Sequence, residues 1–376
     1  MFTDHRSPVR PVLAVVLFLA LTHGPVWAQE FEETFRFDAE SLSVANLIGA
    51  VTVEGHDGSG FEVLVEVRGS DAAVDRVEFE TDDGRRARLT VHFPDEDRFV
   101  YPELGRGRVR MDRDGGGGGW SLFGGDRLEV RGRGDGTEMW ADVTIRVPRE
   151  AGLSVRNGVG VVRASEVVAR LDLATRSGEI LARGVEGDLE VDTGSGHVEV
   201  TGVSGDLYVD TGSGNVDARD IDGRSVEIDT GSGGVTLLGA RGERLLIDTG
   251  SGSVETDRSS FFEVTIDTGS GSVECTALEA DELVVDTGSG SVQVDLARMG
   301  DGDFEIDTGS GSIRLLLPAT ASAHVWAETS SGGVDLDIAE ALVRSKERDR
   351  IEFEIGGGAA RVHLDTGSGG IRIAAR

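Results

Sequence analysis

The sequence predicts an all-β protein, folded as a β-solenoid (parallel β-helix-like) of roughly 18–21-residue coils with an N-terminal β cap region. Three observations lead to this fold class. Glycine accounts for 55 of the 376 residues, and no window keeps a helical period. Short segments alternate between apolar and polar residues, as strands do. One five-residue motif, DTGSG, recurs along the chain at nearly constant spacing.

The motif and its spacing define the repeat. The steps between the first seven copies are 18, 19, 19, 19, 19 and 21 residues. The copies begin at Asp192, Asp210, Asp229, Asp248, Asp267, Asp286, Asp307 and Asp365. Degenerate copies extend the series, with ATRSG at Ala174, RNGVG at Arg156 and ETSSG at Glu328. The 37 residues from Glu328 to Asp365 correspond to about two repeats and contain the charged segment RSKERDR.

Apolar residues hold fixed places around each motif. Leu245 and Ile247 precede Asp248 by three residues and by one, and Val254 follows it by six. Alternation with period two places the apolar set on one face, the Asp on the opposite face and the Thr inward. An antiparallel meander is the alternative to a solenoid. The solenoid is favoured because stacked turns force like residues into ladders, whereas open sheets rarely exceed ~10 strands.

The chain divides into three parts. Residues 1–28 resemble a signal peptide, with a basic start, an apolar run and Ala28 at the expected cleavage position. Residues 29–150 form an N-terminal β region with a Gly/Arg-rich loop, Glu103–Asp126, and are expected to cap the stack. Residues 151–376 form the DTGSG-repeat solenoid. No segment of the mature chain is expected to span a membrane.

Composition narrows the function. The net charge of −31 disfavours binding to nucleic acid or to anionic lipid. The single cysteine, Cys275, excludes an intrachain disulfide and is expected to be a buried core thiol.

The chain resembles the bacterial putative-adhesin family of β-strand-repeat proteins, a domain of unknown function. The resemblance rests on VTIRVPREAGLSVRNGVGVV, on LEVDTGSGHVEVTGVSGDL with its copies, and on the closing ARVHLDTGSGGIRI. It implies an exported, non-catalytic β-repeat protein of the cell envelope. It supplies no ligand and no binding residues.

The motif itself has several interpretations. DTGSG resembles the catalytic loop of aspartic proteases, but those enzymes need two facing loops that share a proton, and here each Asp is expected to point outward. As a structural motif, its Asp and Ser would accept bonds from turn amides, its Gly would supply positive φ, and stacked Thr hydroxyls would bond one another. The outward aspartates could also be oxygen ligands for Ca²⁺. The candidate metal ligands are Asp192, Asp210, Asp229, Asp248, Asp267, Asp286 and Asp307.

The sequence therefore predicts an exported, non-catalytic adhesin or scaffold without a cofactor. Its location would be periplasmic, cell-surface or secreted, and its partner an envelope, matrix or glycan ligand. The alternatives are a polysaccharide-acting β-helix enzyme and a calcium-binding repeat protein. A catalytic site would be one irregular patch, whereas a scaffold would look alike from coil to coil.

Overall fold

The computed structural model describes residues 30–112 and 127–376. The expected signal peptide, and residues 113–126 of the expected Gly/Arg-rich loop, lie outside the described residues. Almost all of the described chain is strand and turn, and its one helical element is a single 3₁₀ turn, Pro102–Leu104. The fold is therefore all-β, as predicted.

Two rows of parallel strands run the length of the molecule, and each coil gives one strand to each row. Strands are numbered in chain order. The first row is, in spatial order, β2 (Ser41–Ile48), β12 (Gly152–Val159), β14 (Arg170–Ser177), β16 (Leu189–Thr193), β18 (Leu207–Thr211), β20 (Ser225–Thr230), β22 (Arg241–Thr249), β24 (Ser260–Thr268), the end of β25 (Val273–Thr287), β27 (Asp303–Thr308), β33 (Ala360–Thr366) and β29 (Ala323–Thr329).

The second row follows the same order. It is formed by β3 (Val51–His56), β13 (Val162–Val168), β15 (Ile180–Glu186), β17 (Val198–Ser204), β19 (Val216–Asp222), β21 (Val235–Leu238), β23 (Val254–Asp257), the start of β25, β26 (Val292–Met299), β28 (Ile313–Leu317), β34 (Ile371–Ala375) and β30 (Val334–Asp337). Because neighbouring coils pair in parallel in both rows, the stack is solenoid-like and not an antiparallel meander.

The register reproduces the sequence repeat. Leu189 pairs with Leu207, 18 residues on, and Leu207 pairs with Val226, 19 residues on. Along each strand the side chains alternate between the interior and solvent, so that Leu207 and Val209 are buried and Tyr208 between them is exposed. Burying one such aliphatic side chain stabilises the fold by about 1.5–3 kcal/mol, and every coil contributes several.

The N-terminal region is part of the stack. β2 and β3 form a coil that pairs in parallel with β12 and β13, so hydrogen bonding continues across residue 150. Beyond this coil the first row is extended by β6 (Arg86–His92) and β5 (Glu78–Asp82), and the second by β11 (Trp140–Pro148), β4 (Phe61–Arg68) and β1 (Phe31–Phe37). A separate small sheet contains β7 (Arg98–Val100), β8 (Arg108–Asp112), β9 (Arg127–Arg131) and β10 (Thr137–Glu138).

The C-terminal coils are out of sequence order. β33, which carries Asp365, lies between β27 and β29, and pairs Asp365 with Asp307 on one side and with Glu328 on the other. The last coil of the chain is thus inserted between its two predecessors. The outer side of β29 is closed by an antiparallel hairpin of β31 (Leu342–Lys346) and β32 (Arg350–Ile355).

Cys275 is fully buried, as expected of a core thiol. It occupies an inward position of the second row between Thr256 and Val294. Burial raises the pKa of its thiol to about 11, so the group is protonated and unreactive at neutral pH.

Candidate functional site

The DTGSG aspartates form one continuous column on the outer face of the first row. Consecutive members are direct register partners from Asp192 to Asp307, and the column continues through Asp365 to Glu328. Register partners in parallel strands lie about 4.8 Å apart. Asp192, Asp210, Asp229, Asp248, Asp267 and Asp286 are exposed, and Asp307 is half-buried. The expected outward direction of these residues is therefore confirmed.

The threonines of the motif form a second, buried column. Thr249 is representative: its hydroxyl donates to the Gly233 carbonyl of the preceding coil at 3.1 Å and accepts from the Gly252 amide at 3.0 Å. The expectation that stacked Thr hydroxyls bond one another is wrong. The hydroxyls of Thr230, Thr249, Thr268, Thr287 and Thr308 each face the glycine backbone, where they satisfy one buried acceptor and one buried donor.

Asparagines replace the threonines at the N-terminal end of this column. Asn157 donates to the Gly49 carbonyl of the neighbouring coil at 2.9 Å, which is the equivalent of the bond from Thr249 to the Gly233 carbonyl. The degenerate copy RNGVG at Arg156 is therefore a true repeat.

The motif glycines are required for space. None of the glycines in the eight DTGSG copies has the positive φ that was expected, so that explanation is wrong for them; Gly160 and Gly178 of the degenerate copies have φ of 135° and 157°. A Cβ built at Gly233 would overlap the Gly214 carbonyl oxygen of the coil below. The backbones of stacked turns approach too closely for any side chain, which explains why glycine recurs at this position.

The aspartates do not cap the turns. In the described chain no carboxylate from Asp192 to Asp307 accepts a hydrogen bond in this column, and the turn amide is bound by Thr instead. The interpretation of the Asp as a turn cap is therefore wrong. Like charges one strand apart repel by roughly 1 kcal/mol in water-like surroundings, and no hydrogen bond offsets this.

The column carries a destabilising charge pattern. Partial burial, and then the neighbouring aspartates, raise the pKa values of Asp229 and Asp267. The pKa values of Asp192, Asp307 and Asp365 are raised as well, again first by burial.

Across residues 30–112 and 127–376, no three His, Cys, Asp or Glu side chains converge as a metal site would require. The candidate calcium ligands are thus brought into a line and not into a cluster.

Arginines terminate the column at both ends. At the N-terminal end Arg156 stands two register steps from Asp192 and binds Asp172 through two bonds of 2.5 and 2.7 Å. At the other end Arg350 pairs with Glu328 at 2.7 Å. The acidic column is therefore flanked by an arginine at each end.

The C-terminal end holds an irregular pocket of about 280 Å³, lined by Glu328, Arg350 and Asp365 among others. Beside it the exposed Trp326 donates to Glu328 at 3.4 Å, and its ring lies 5.5 Å from the Arg350 guanidinium. The Trp326 bond, with Arg350, lowers the pKa of Glu328, whereas burial and the Glu328 charge raise the pKa of Asp365. The sequence repeat gave no sign of this pocket because its residues come from three separate strands.

The outward column next to the aspartates differs from coil to coil. Its members include the exposed apolar side chains Tyr208, Val284 and Trp326. The sequence repeat did not indicate them, because a repeat is defined only by positions whose residue type recurs.

Comparison with known proteins supports the repeat assignment. The family model Toastrack DUF4097 matches residues 201–374, which confirms the resemblance expected from the motifs. Among solved structures, a "putative cell adhesion protein" from Clostridium sporogenes aligns over 93% of this chain and 100% of its own, at 10% identity and a TM-score of 0.23. At this TM-score the similarity says nothing about how either protein functions. No curated protein matches the chain. Within the described residues no helix has the length and hydrophobicity needed to cross a membrane.

Proposed function

Since residues 201–374 carry the Toastrack DUF4097 repeat, we propose that the protein is an exported, non-catalytic scaffold of the adhesin type that binds a ligand at the cell envelope. The observation that carries the proposal is the uniform aspartate column on the outer face of the first row. The same aspartate is presented coil after coil from Asp192 to Asp307, with no structural bond that would explain it.

Repetition favours binding over catalysis. A catalytic centre needs unlike groups converging on one point, whereas a row of identical groups offers many equivalent contacts to a repetitive partner. The buried Thr and Gly columns hold these groups at one spacing, because each turn is bonded to the turn below. A rigid, periodic surface suits a glycan or matrix ligand with its own repeat.

A binding screen tests the proposal. Residues 29–376 would be applied to an array of cell-wall glycans, host glycans and matrix proteins, beside the variant Asp210→Asn/Asp229→Asn/Asp248→Asn. We expect a ligand that the wild type retains and the variant binds at least about tenfold more weakly, as multivalent contacts imply. A matched control is Asp217→Asn/Glu255→Asn/Glu274→Gln, which removes three charges from the outer face of the second row. Equal binding by wild type and both variants would contradict the role of the column.

An enzyme acting on polysaccharide is the second candidate, favoured by the irregular pocket at the C-terminal end. Adjacent carboxylates with pKa values displaced in opposite directions are the pattern of an acid–base pair, and Glu328 and Asp365 have it. Incubation with uronate, neutral and amino-sugar polymers would release reducing ends if this were correct. If this candidate is correct, Asp365→Asn must abolish the release of reducing ends. If none of the polymers releases reducing ends, the candidate is eliminated.

The aspartate column is expected to attract cations without selecting calcium, because the carboxylates are lined up singly. Thermal melting of residues 29–376 in NaCl, MgCl₂ and CaCl₂ at equal ionic strength is the measurement. Stability should rise smoothly with ionic strength for all three salts, as screening predicts. A Ca²⁺-specific rise of about ten degrees, abolished by the triple Asp→Asn variant, would instead show binding to the folded state.

A further inference from the structure

The outer face of the first row contains a groove of about 370 Å³ near its N-terminal end. Its floor is made by the first residues of β2 and β12, which present small side chains outward: Ser41, Ser43, Gly152 and Ser154. Leu42 and Leu153, which alternate with them, point into the core. The groove therefore follows the strand direction and is two strands wide.

Arginines form both walls of this groove. Arg86 and Arg88 rise from β6 on one side, and Arg170 rises from β14 on the other. Arg86 is the register partner of Ser41, and Arg170 that of Gly152. The two walls are thus three strand spacings apart, or about 14 Å, with only small side chains between them.

These three guanidiniums are exposed and make no ion pair within residues 30–112 and 127–376. Most arginines in these ranges have a carboxylate partner, and these three belong to the minority that have none. The acids lining the groove are Asp82 and Asp172, and Asp172 is already bound by Arg156 at 2.5 and 2.7 Å. Positive charge in the groove therefore exceeds what its own acids neutralise.

We propose that this groove binds an acidic polysaccharide, with Arg86, Arg88 and Arg170 holding its carboxylates or sulfates and the serine floor bonding its hydroxyls. Guanidinium groups bind carboxylate and sulfate oxygens through paired, charge-assisted hydrogen bonds. A narrow floor of small side chains leaves room for an extended sugar chain, and no aromatic side chain lines the groove to stack a nucleic-acid base. The acidic surface elsewhere repels a polyanion, which restricts binding to this groove.

This inference rests on the proposed function only in assuming that the chain binds an envelope ligand. The groove and the aspartate column occupy different residues, so variants of one leave the other intact. If the column variants bind every array ligand as the wild type does, the groove proposal is unaffected. If the groove variants bind acidic polymers as the wild type does, the proposed role of the column is unaffected.

The test is a titration of residues 29–376 with galacturonate oligomers, dextran sulfate and neutral dextran of similar length. Binding of either acidic polymer and not of dextran is expected, and the stronger of the two identifies the anionic group. The variant Arg86→Gln/Arg88→Gln/Arg170→Gln should bind at least about tenfold more weakly, since three charge-assisted contacts are lost. The control Arg163→Gln/Arg219→Gln/Arg314→Gln removes equal charge from exposed, unpaired arginines of the second row and should change binding less than about twofold.

A steric variant separates the groove from general electrostatics. Gly152→Leu fills the floor without changing charge, and a Cβ at Gly152 meets only the Ser41 Cβ, at 3.4 Å. This variant should keep the wild-type melting temperature and lose binding. Equal weakening by both arginine triples, unchanged binding by Gly152→Leu, or equal binding of dextran would each overturn the proposal.

Discussion

At the level of single residues, the amino acids of the DTGSG repeat have separate roles. Thr249 donates one hydrogen bond to the preceding coil and accepts one within its own turn, whereas Gly233 provides room for the neighbouring backbone. Asp248 and Ser251 face solvent and make no bond that the turn needs. The motif is therefore conserved within the chain for two reasons: Thr and Gly maintain the stack, and Asp and Ser form its surface.

The steric role of glycine is testable at two neighbouring positions. Gly233→Ala places a methyl group against the Gly214 carbonyl, so that the two coils must separate. Gly234→Ala meets nothing closer than the Ser253 carbonyl oxygen at 3.4 Å, an ordinary contact. We expect Gly233→Ala to cost at least about 3 kcal/mol and Gly234→Ala less than about 1 kcal/mol in urea denaturation. Equal costs would contradict the close approach of stacked turns.

At the level of the element, the seven consecutive coils from β13 to the start of β25 each turn a corner through one left-handed residue. Gly184, Gly202 and Gly239 occupy this corner in three coils, with φ between 64° and 69°. Glu166, Asp220, Arg258 and Ala277 occupy it in others, with φ between 50° and 54°. The corner lies in the second row, where the residue on each side pairs with the next coil and the corner residue does not.

Substitution at this corner should act through backbone strain alone. Ala277→Gly relieves a left-handed alanine and is expected to stabilise the protein by about 0.5–1 kcal/mol. Gly202→Ala should destabilise it by a similar amount, since nothing lies closer than 3.7 Å to its added Cβ. Denaturant midpoints of both variants measure the effect. A loss of stability in Ala277→Gly would mean that the alanine side chain contributes more than its strain costs.

At the level of the whole molecule, the last coil is a structural insert and not an end cap. β33 and β34 separate β27 and β28 from β29 and β30. Removing residues 358–376 would therefore leave β29 and β30 without their stacking partners. In the truncated chain we expect loss of hydrogen-exchange protection across residues 323–337, with residues 225–270 unchanged as the internal control. Retained protection at 323–337 would contradict the interleaved order.

The acidic column should also set the pH dependence of stability. A raised pKa in the folded state means that the folded chain binds protons more readily than the unfolded chain. Asp229 and Asp267 therefore destabilise the protein above their folded pKa values, and this loss disappears as the pH falls below the ordinary Asp value of 3.8. The gain should accumulate as the pH falls from the raised folded-state pKa values of these two carboxyls to the ordinary value of 3.8.

A pair of variants isolates this effect. Asp229→Asn/Asp267→Asn should be more stable than wild type at pH 7 by roughly half a kcal/mol after solvent screening, and equal to it near pH 3. Asp206→Asn should have the opposite sign, because the Ser225 amide and Arg224 lower the pKa of Asp206. Thermal melts from pH 3 to pH 7 provide the comparison. If the double variant is less stable than wild type at pH 7, the two carboxylates make net favourable interactions, and the expected repulsion is contradicted.

The sequence alone determined the all-β class, the parallel stack and the direction of each side chain in the column. It could do so because period-two alternation and a constant repeat length are local properties that stacking preserves. Residues such as Ile247 and Asp248 were placed correctly for that reason. The structure alone decided which residue bonds the turn, since Thr249 reaches a glycine carbonyl 16 residues away in a coil that only folding brings near.

Tertiary structure also decided the order of the coils and the positions of the pockets. The sequence places Glu328 before Asp365, but β33 fits between β27 and β29 because its intact DTGSG turn stacks on both neighbours. The Arg-walled groove joins Arg86 on β6 to Arg170 on β14, and strands β7 to β13 lie between them in the chain. No local pattern reports such pairings, because they depend on which strand edges remain open when the chain returns to the stack.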